Sequence, residues 1–258
     1  MNHTQSGAEQ ISAAAPVPEP RLRVDQLTVR FGGLIALDEV SFEVGPGEVV
    51  ALIGPNGAGK TTVFNAVCGL VRPAAGDVRI DGAPAPTRPT GLTGRRVART
   101  LQGLGLFDSM TVLENVLVPL QARRGIRSSE AVETASGCLA RLGIAGSASR
   151  PVAALPYPER KRVALARALV TDPELLLLDE PAGGLGEEDI DALAAVVREV
   201  AASGCSVLLV EHHVDFVMGV ADRIVVLDFG RVIACGTPDE VRADPRVEEA
   251  YLGIEPAA

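Results

Sequence analysis

No stretch of the 258-residue chain approaches the roughly 18 consecutive apolar residues needed to span a bilayer. Any work at a membrane must therefore be done through a partner. Basic charge is not in excess either: 24 Lys and Arg stand against 33 Asp and Glu, for a net charge of −9. Polyanions are held chiefly by clustered Lys and Arg, so nucleic acid is excluded as a general partner and adhesion to anionic lipid is disfavoured. Cysteine is scarce, and Cys68, Cys138, Cys205 and Cys235 show no CxxC spacing. Neither a zinc site nor a disulfide framework is expected from them, and buried free thiols in a reducing compartment are the expectation. The opening "MNHTQSGAEQISAAAPVPEP" has no Lys or Arg and no long apolar core. It does not read as a secretory signal, and its Ala, Pro and Ser content predicts a disordered lead-in over residues 1–20.

What is present is enough apolar material, 47% of residues, to bury a sizeable core in one large α/β domain or two lobes. From Leu22 to Val44 short alternating runs predict strands with one wet face. "VVALI", Val49 to Ile53, predicts a strand buried on both faces, and a helix with Val63, Ala66, Val67 and Leu70 on one stripe follows it. "GDVRIDG" returns to alternation. After "VARTLQ" the character changes: Thr111 to Arg124 and Glu130 to Leu142 predict helices with no strand between them, a helical lobe set into an α/β body. The second half then alternates strand and helix, which predicts a mainly parallel sheet. In the helix after "LLLLDEP", Ile190, Leu193, Val197 and Val200 form the apolar stripe, with Glu187, Glu188 and Asp189 where the macrodipole favours them.

"GPNGAGKT", Gly54 to Thr61, fits GxxxxGK(S/T) and lies directly between the buried strand and its helix. Gly54, Gly57 and Gly59 let the backbone curl. The amides of Asn56 to Thr62, Ala58 included, then converge on phosphate oxygens at a helix N-terminus. Lys60 would reach the β- and γ-phosphates, and the Thr61 hydroxyl would take Mg²⁺. "LLLLDEP", Leu175 to Pro181, ends an apolar strand with two carboxylates, at the edge where α/β sheets place ligands. Asp179 suits Mg²⁺ held through water, and Glu180 suits a general base.

Together "GPNGAGKTT", "RTLQ", "LLLLDEP" and "VEHH" resemble, in order and spacing, an ATP-binding cassette (ABC) subunit. "FGGLIAL", "LFDSMTVLENVLV" and "GTPDEVRADPRVEEAYLG" are similar to the subgroup that powers importers of branched-chain and other hydrophobic amino acids. The resemblance covers residues 21–253 and leaves 254–258 as a tail. It implies a P-loop NTPase, a RecA-like core with a small antiparallel sheet and a helical subdomain inserted over about 103–160. It also implies ATP and Mg²⁺ as cofactors and a peripheral place on the cytoplasmic face of the membrane. The implied partners are transmembrane permease subunits, a second ATPase subunit and an extracytoplasmic solute-binding protein. By position, Phe31 would stack on adenine, Gln102 would link Mg²⁺ and the water to the helical lobe, and His212 would bond the γ-phosphate. His213 stands where the family commonly has Asp.

Two departures from the family pattern bear on mechanism. The signature that the family presents to the opposite subunit's nucleotide reads here Leu155, Pro156, Tyr157, Pro158, Glu159, Arg160. Pro158 replaces a glycine and removes a backbone N–H, although proline suits a first helical turn. Behind it, Arg160, Lys161 and Arg162 oppose the helix dipole; either an anionic neighbour, phosphate or acidic protein, or plain solvation accounts for them. Gly186 occupies a position where the family usually carries Asp or Asn. The expectation is an ATPase working as a heterodimer, since a partner with an intact signature preserves one good site. The alternative is a cassette that binds ATP and barely hydrolyses it. A soluble ABC-type ATPase of DNA repair or translation is disfavoured by the lack of a basic face, a coiled-coil insertion or a second cassette.

Overall fold

The computed structural model describes residues 19–121 and 125–252. The lead-in up to residue 18, the predicted end of the first middle helix at 122–124 and the tail from 253 lie outside them. The alternating segments at the start form β1 (Leu22–Phe31) and β2 (Leu34–Val44), paired antiparallel. The register of β1 slips between Val24 and Leu27, where Gln26 takes a left-handed φ of 46°. This bulge lets β1 twist over the core without losing its inward face.

β3 (Val49–Ile53) is buried along its whole length, and α1 (Lys60–Val67) follows one loop later. Val63, Ala66 and Val67 of the predicted stripe are buried, but Leu70 is 56% exposed. The helix stops short of Leu70 because Gly69 turns left-handed (φ 67°) under Pro86, whose carbonyl oxygen lies 2.2 Å from where a Cβ would sit. β4 (Ala75–Ile80) and β5 (Ala83–Pro84) complete an antiparallel sheet in the order β2-β1-β4-β5.

β6 (Val97–Arg99) is a short strand inside "VARTLQ" that no sequence signal marks out. The predicted middle helices are α2 (Val112–Gln121) and α3 (Ser128–Arg141), followed by α4 (Tyr157–Leu169). β7 (Leu175–Asp179), α5 (Glu187–Ala202), β8 (Ser206–Val210), α6 (Val214–Val220) and the hairpin β9 (Arg223–Asp228) and β10 (Arg231–Gly236) then alternate. Two short helices close the described chain, α7 (Pro238–Arg242), held by a Thr237–Glu240 capping box, and α8 (Pro245–Leu252).

The second sheet runs β10-β9-β3-β8-β7-β6, parallel except for the β9–β10 hairpin. Its inner strands β3, β7, β8 and β9 are buried because each pleat feeds a different core. Val50, Leu52, Leu175, Leu177, Leu208 and Leu227 face α1 and the antiparallel sheet. Ala51, Leu176, Leu178, Leu209 and Val226 face α2 to α6. Truncating a leucine on either face costs about 2–5 kcal/mol, because such packed layers collapse poorly onto a cavity. The 54–61 loop, the Gln102 segment, the Glu180 turn and the His212 turn leave the C-terminal ends of the parallel strands β3, β6, β7 and β8.

The thiols are free, but they are not uniformly buried. Cys68 and Cys205 are, Cys138 is half-buried, and Cys235 is exposed on the sheet's edge strand β10, contrary to the expectation of buried thiols throughout. Desolvation pushes Cys138 and Cys205 each up to about 11. Two results are expected. Iodoacetamide at pH 8 labels Cys235 first, read by peptide mass spectrometry. The stability that Cys138 and Cys205 contribute as neutral thiols is complete below about pH 8.5, where unfolded thiols begin to ionise, and is lost as pH rises toward 11, read by denaturant melts.

Candidate functional site

The loop between β3 and α1 is shaped by what crowds it. Gly54 has φ 148°, and a Cβ there would fall 2.1 Å from the Leu227 carbonyl oxygen of β9. Gly59 has φ 105°, with the Leu37 Cδ2 at 2.6 Å and the Ala36 oxygen at 2.9 Å from a Cβ. Only glycine satisfies both the angles and the space. Ala58 is buried, and its carbonyl accepts from the Gly230 amide at 3.0 Å, while Asn56 and Gly57 form the exposed rim. α1 begins with no side-chain cap and no acidic residue in its first turn. Its leading amides, through Thr61 and Thr62, are therefore left for an outside acceptor.

Lys60 closes the loop by donating from Nζ to the Gly54 and Pro55 carbonyls at 2.6 and 2.9 Å. Burial lowers its pKa, and the nearby Glu180 carboxylate opposes that shift. The lysine thus joins the phosphate-type loop electrically to the carboxylates at the end of β7.

Asp179, the last residue of β7, is 8% exposed. Its amide donates to the Thr100 hydroxyl at 3.2 Å, and its Oδ2 accepts from Arg99 Nη2 at 3.0 Å. Arg99 also donates to Asn65 Oδ1 on α1 at 3.2 Å and lies 5.6 Å above the Phe64 ring. Arg99 opens the "RTLQ" motif, which by itself gives the arginine no role. The signal available was a cation three residues before Gln102 in an otherwise apolar run. With Oδ2 engaged, Asp179 keeps Oδ1, and with the Thr61 hydroxyl and the Gln102 amide oxygen it would offer a sparse set of hard oxygens. Such a set fits Mg²⁺, which retains waters and takes the rest of its shell from phosphates.

Glu180 adopts a left-handed φ of 48°, a strain of about 1–3 kcal/mol for a residue other than glycine. Its Oε2 accepts from Gln102 Nε2 at 2.8 Å, so two of the predicted site residues meet directly. His212 follows β8, beside β7, and its side chain is exposed. His213 caps α6, its Nδ1 accepting from the Phe216 amide at 3.3 Å. That is a capping task an Asp performs equally well. Glu211, which sequence reading left without a role, is fully buried. Phe31 is half-exposed at the hairpin tip opposite Leu34, on the hairpin whose Ala36 and Leu37 press on Gly59.

The segment from Leu155 to Arg160 turns into α4 much as its prolines predict. Leu155 is buried, Pro156 is the N-cap residue, and Pro158 occupies the second helical position, where no intrahelical bond is lost. Tyr157 is half-exposed and lies against Gly184, and Glu159 accepts from the Ser147 hydroxyl at 2.8 Å. The three cations that follow find their acceptors inside this chain. Arg160 pairs with Asp108 at 2.6 Å, Arg162 pairs with Asp189 at 2.6 Å, and Lys161 donates to the Glu180 and Pro181 carbonyls at 2.9 and 2.7 Å. Two of the cations thus face acidic side chains of the chain itself, and the third meets backbone carbonyls. A cavity of about 420 Å³ opens between α4, α5 and the Gln102 segment, with Glu180 on its rim.

Comparison with known proteins fits this geometry. The ABC transporter family profile matches residues 37–183, and that of the branched-chain amino acid ATP-binding cassette transporters matches 231–257. The chain is 40% identical over 255 residues to the high-affinity branched-chain amino acid transport ATP-binding protein LivG of Escherichia coli K12, covering 91% of this chain and 98% of that one. It is 40% identical over 250 residues to the corresponding protein BraF of Pseudomonas aeruginosa, with the same coverage. The ADP conformation of MJ1267, an ATP-binding cassette of an ABC transporter, superposes with a TM-score of 0.82 at 31% identity, covering 91% of this chain and 99% of that one.

Proposed function

This chain belongs to the ABC transporter ATP-binding family, whose members hydrolyse ATP to drive transport, and we propose that it energises uptake of branched-chain or related hydrophobic amino acids or amide-like solutes. The observation that carries the reading is the convergence of the 54–61 loop, the Asp179–Glu180 strand end and Gln102, with Gln102 bonded to Glu180 at 2.8 Å.

In the proposed reaction the loop amides and Lys60 hold the triphosphate, and Phe31 stacks on the adenine. Lys60 exchanges the Gly54 and Pro55 carbonyls for phosphate oxygens. Thr61, Gln102 and Asp179 would hold Mg²⁺, which neutralises phosphate charge when bound. Glu180 accepts a proton from the attacking water, Gln102 orients that carboxylate, and His212 bonds the γ-phosphate. Turnover by the purified chain with its partner subunits, abolished in Glu180→Gln, tests the reading.

Among the described residues no helix is long and apolar enough to cross a membrane. The proposed setting is therefore beneath permease subunits on the cytoplasmic face, with an extracytoplasmic receptor supplying solute. The helical lobe of about 103–160 would pass nucleotide state to the permease.

We further infer a heterodimer. Pro158 lacks the N–H that the signature would offer to the opposite subunit's γ-phosphate, and Gly186 lacks a side chain at the interface loop. A homodimer would repeat both deficits, whereas a partner with an intact signature restores the site formed on this chain's own loop. Steady-state ATPase should be low for this chain alone and rise on mixing with the partner; full activity alone contradicts the asymmetric arrangement. Pro158→Gly should raise hydrolysis at the partner's nucleotide site, read with the partner's loop lysine intact and Lys60 substituted; an unchanged rate would show the proline to be neutral. These same two residues also favour the second reading, a cassette that binds ATP and barely turns it over. Single-turnover hydrolysis at saturating partner separates the two.

A further inference from the structure

The segment Glu180-Pro181-Ala182 is gripped from two sides by oppositely charged residues from different parts of the fold. From α4, the Lys161 ammonium donates to the carbonyls of Glu180 at 2.9 Å and Pro181 at 2.7 Å. From the end of β8, the Glu211 carboxylate takes the Ala182 amide on Oε1 at 2.6 Å. Its other oxygen, Oε2, accepts from the amides of His212 at 2.9 Å and His213 at 3.2 Å. The Glu180 amide is itself bonded to the Val210 carbonyl at 2.9 Å.

Each charge thus meets the backbone pole it attracts, a cation on two carbonyls and an anion on three amides. A carboxylate with no solvent exposure is costly to bury, and here hydrogen bonds from three amides compensate it, with His212 Nδ1 3.9 Å from Oε2. Burial depresses the Lys161 pKa, while the Glu211 and Glu180 charges oppose that shift. The segment so held contains a residue with strained, left-handed backbone, Glu180 at φ 48°. Left-handed backbone at a glutamate persists only where its surroundings over-determine it.

We propose that Lys161 and Glu211 are positioning residues that form a two-ended clamp. The clamp fixes Glu180 in its left-handed conformation and sets the Glu180 carboxylate and the His212 backbone in one frame. Because Lys161 lies one residue beyond Arg160 on α4, the clamp also makes the placement of Glu180 follow the position of the signature helix. The consequence for turnover rests on the proposed role of Glu180, whereas the conformational role does not.

The test uses the full chain with its partner subunit and four variants: Lys161→Met, Lys161→Arg, Glu211→Gln and the double variant Lys161→Met/Glu211→Gln. ATP affinity should stay near wild type, while the single-turnover rate falls roughly 10–100-fold in Lys161→Met and Glu211→Gln, the scale of an ångström-sized misplacement. The double variant should lose little beyond the larger single loss, since both residues act through one segment. Lys161→Arg, still able to bridge two carbonyls, should recover most of the rate. Hydrogen exchange at the Ala182 amide should accelerate in Glu211→Gln with the β3 amides unchanged.

Wild-type turnover with Ala182 still protected would overturn the clamp. So would a loss of rate that travels with lost ATP affinity and a general fall in melting temperature and is not recovered by arginine. If Glu211→Gln fails to fold, the Lys161 pair decides the matter, because Lys161 is only half-buried. Glu180→Gln run alongside separates the two ideas. Unimpaired hydrolysis there refutes the role given to Glu180, and the exchange measurement then still tests the clamp.

Discussion

Glu180→Gln is expected to lower the rate of ATP hydrolysis by about 10²–10⁴-fold, the usual contribution of a positioned general base, while ATP affinity stays near wild type. The substitution keeps size and shape and removes only the ability to take a proton. Gln102 donates to Glu180 Oε2 at 2.8 Å, and the substituted glutamine still offers it an amide oxygen, so the local geometry should survive. The backbone restraints on residue 180, from Val210 and Lys161, do not depend on its side chain. Single-turnover phosphate release combined with equilibrium nucleotide binding reads both quantities. Loss of binding in step with rate would mean that the side chain is structural.

Arg99→Met should destabilise the protein by about 3–5 kcal/mol, the penalty for breaking a buried ion pair and stranding one charge. The side chains of Arg99 and Asp179 are 12% and 8% exposed, so water screens neither. Removing the guanidinium leaves Asp179 Oδ2 without its donor and Asn65 Oδ1 without the bond that ties α1 to β6. For a chain of this size the loss corresponds to a drop in melting temperature of roughly 10 °C. Arg99→Lys, which keeps the charge but can reach only one acceptor well, should fall between. Calorimetry or thermal circular dichroism checks the order. Equal melting of Arg99→Met and wild type would show that Asp179 is held by its strand alone.

The parallel strands and their order of appearance were legible because buried runs such as "VVALI" and "LLLLDE" are uninterrupted and bounded by turn residues. The 54–61 loop was legible for a stronger reason, since Gly54 and Gly59 are fixed by angles and contacts that no other residue meets. Leu70 misled because periodicity carries no information about where a helix must stop, and here a carbonyl from a distant loop stops it at Gly69. β6 was missed because three residues are too few to show a period. Arg99 and Glu211 stand inside "RTLQ" and "VEHH" without a legible role, because a single charge beside an apolar run announces burial only when its partners are known. Those partners, Asn65 and Asp179 for one and Ala182 for the other, lie 29 to 80 positions away. The cations after Pro158 posed the same problem: the sequence shows three charges against a dipole, and the fold supplies Asp108, Asp189 and two carbonyls.

ATP hydrolysis at the Lys60–Glu180 site is proposed to drive uptake of apolar amino acids. Phosphate release by the chain assembled with its permease and partner subunits in proteoliposomes, with and without receptor loaded with leucine, isoleucine or valine, tests it most directly. Release should be stimulated by loaded receptor, be accompanied by accumulation of the amino acid, and fall about 10²–10⁴-fold in Glu180→Gln. Release that persists unchanged in Glu180→Gln, or that no apolar amino acid stimulates, would contradict it.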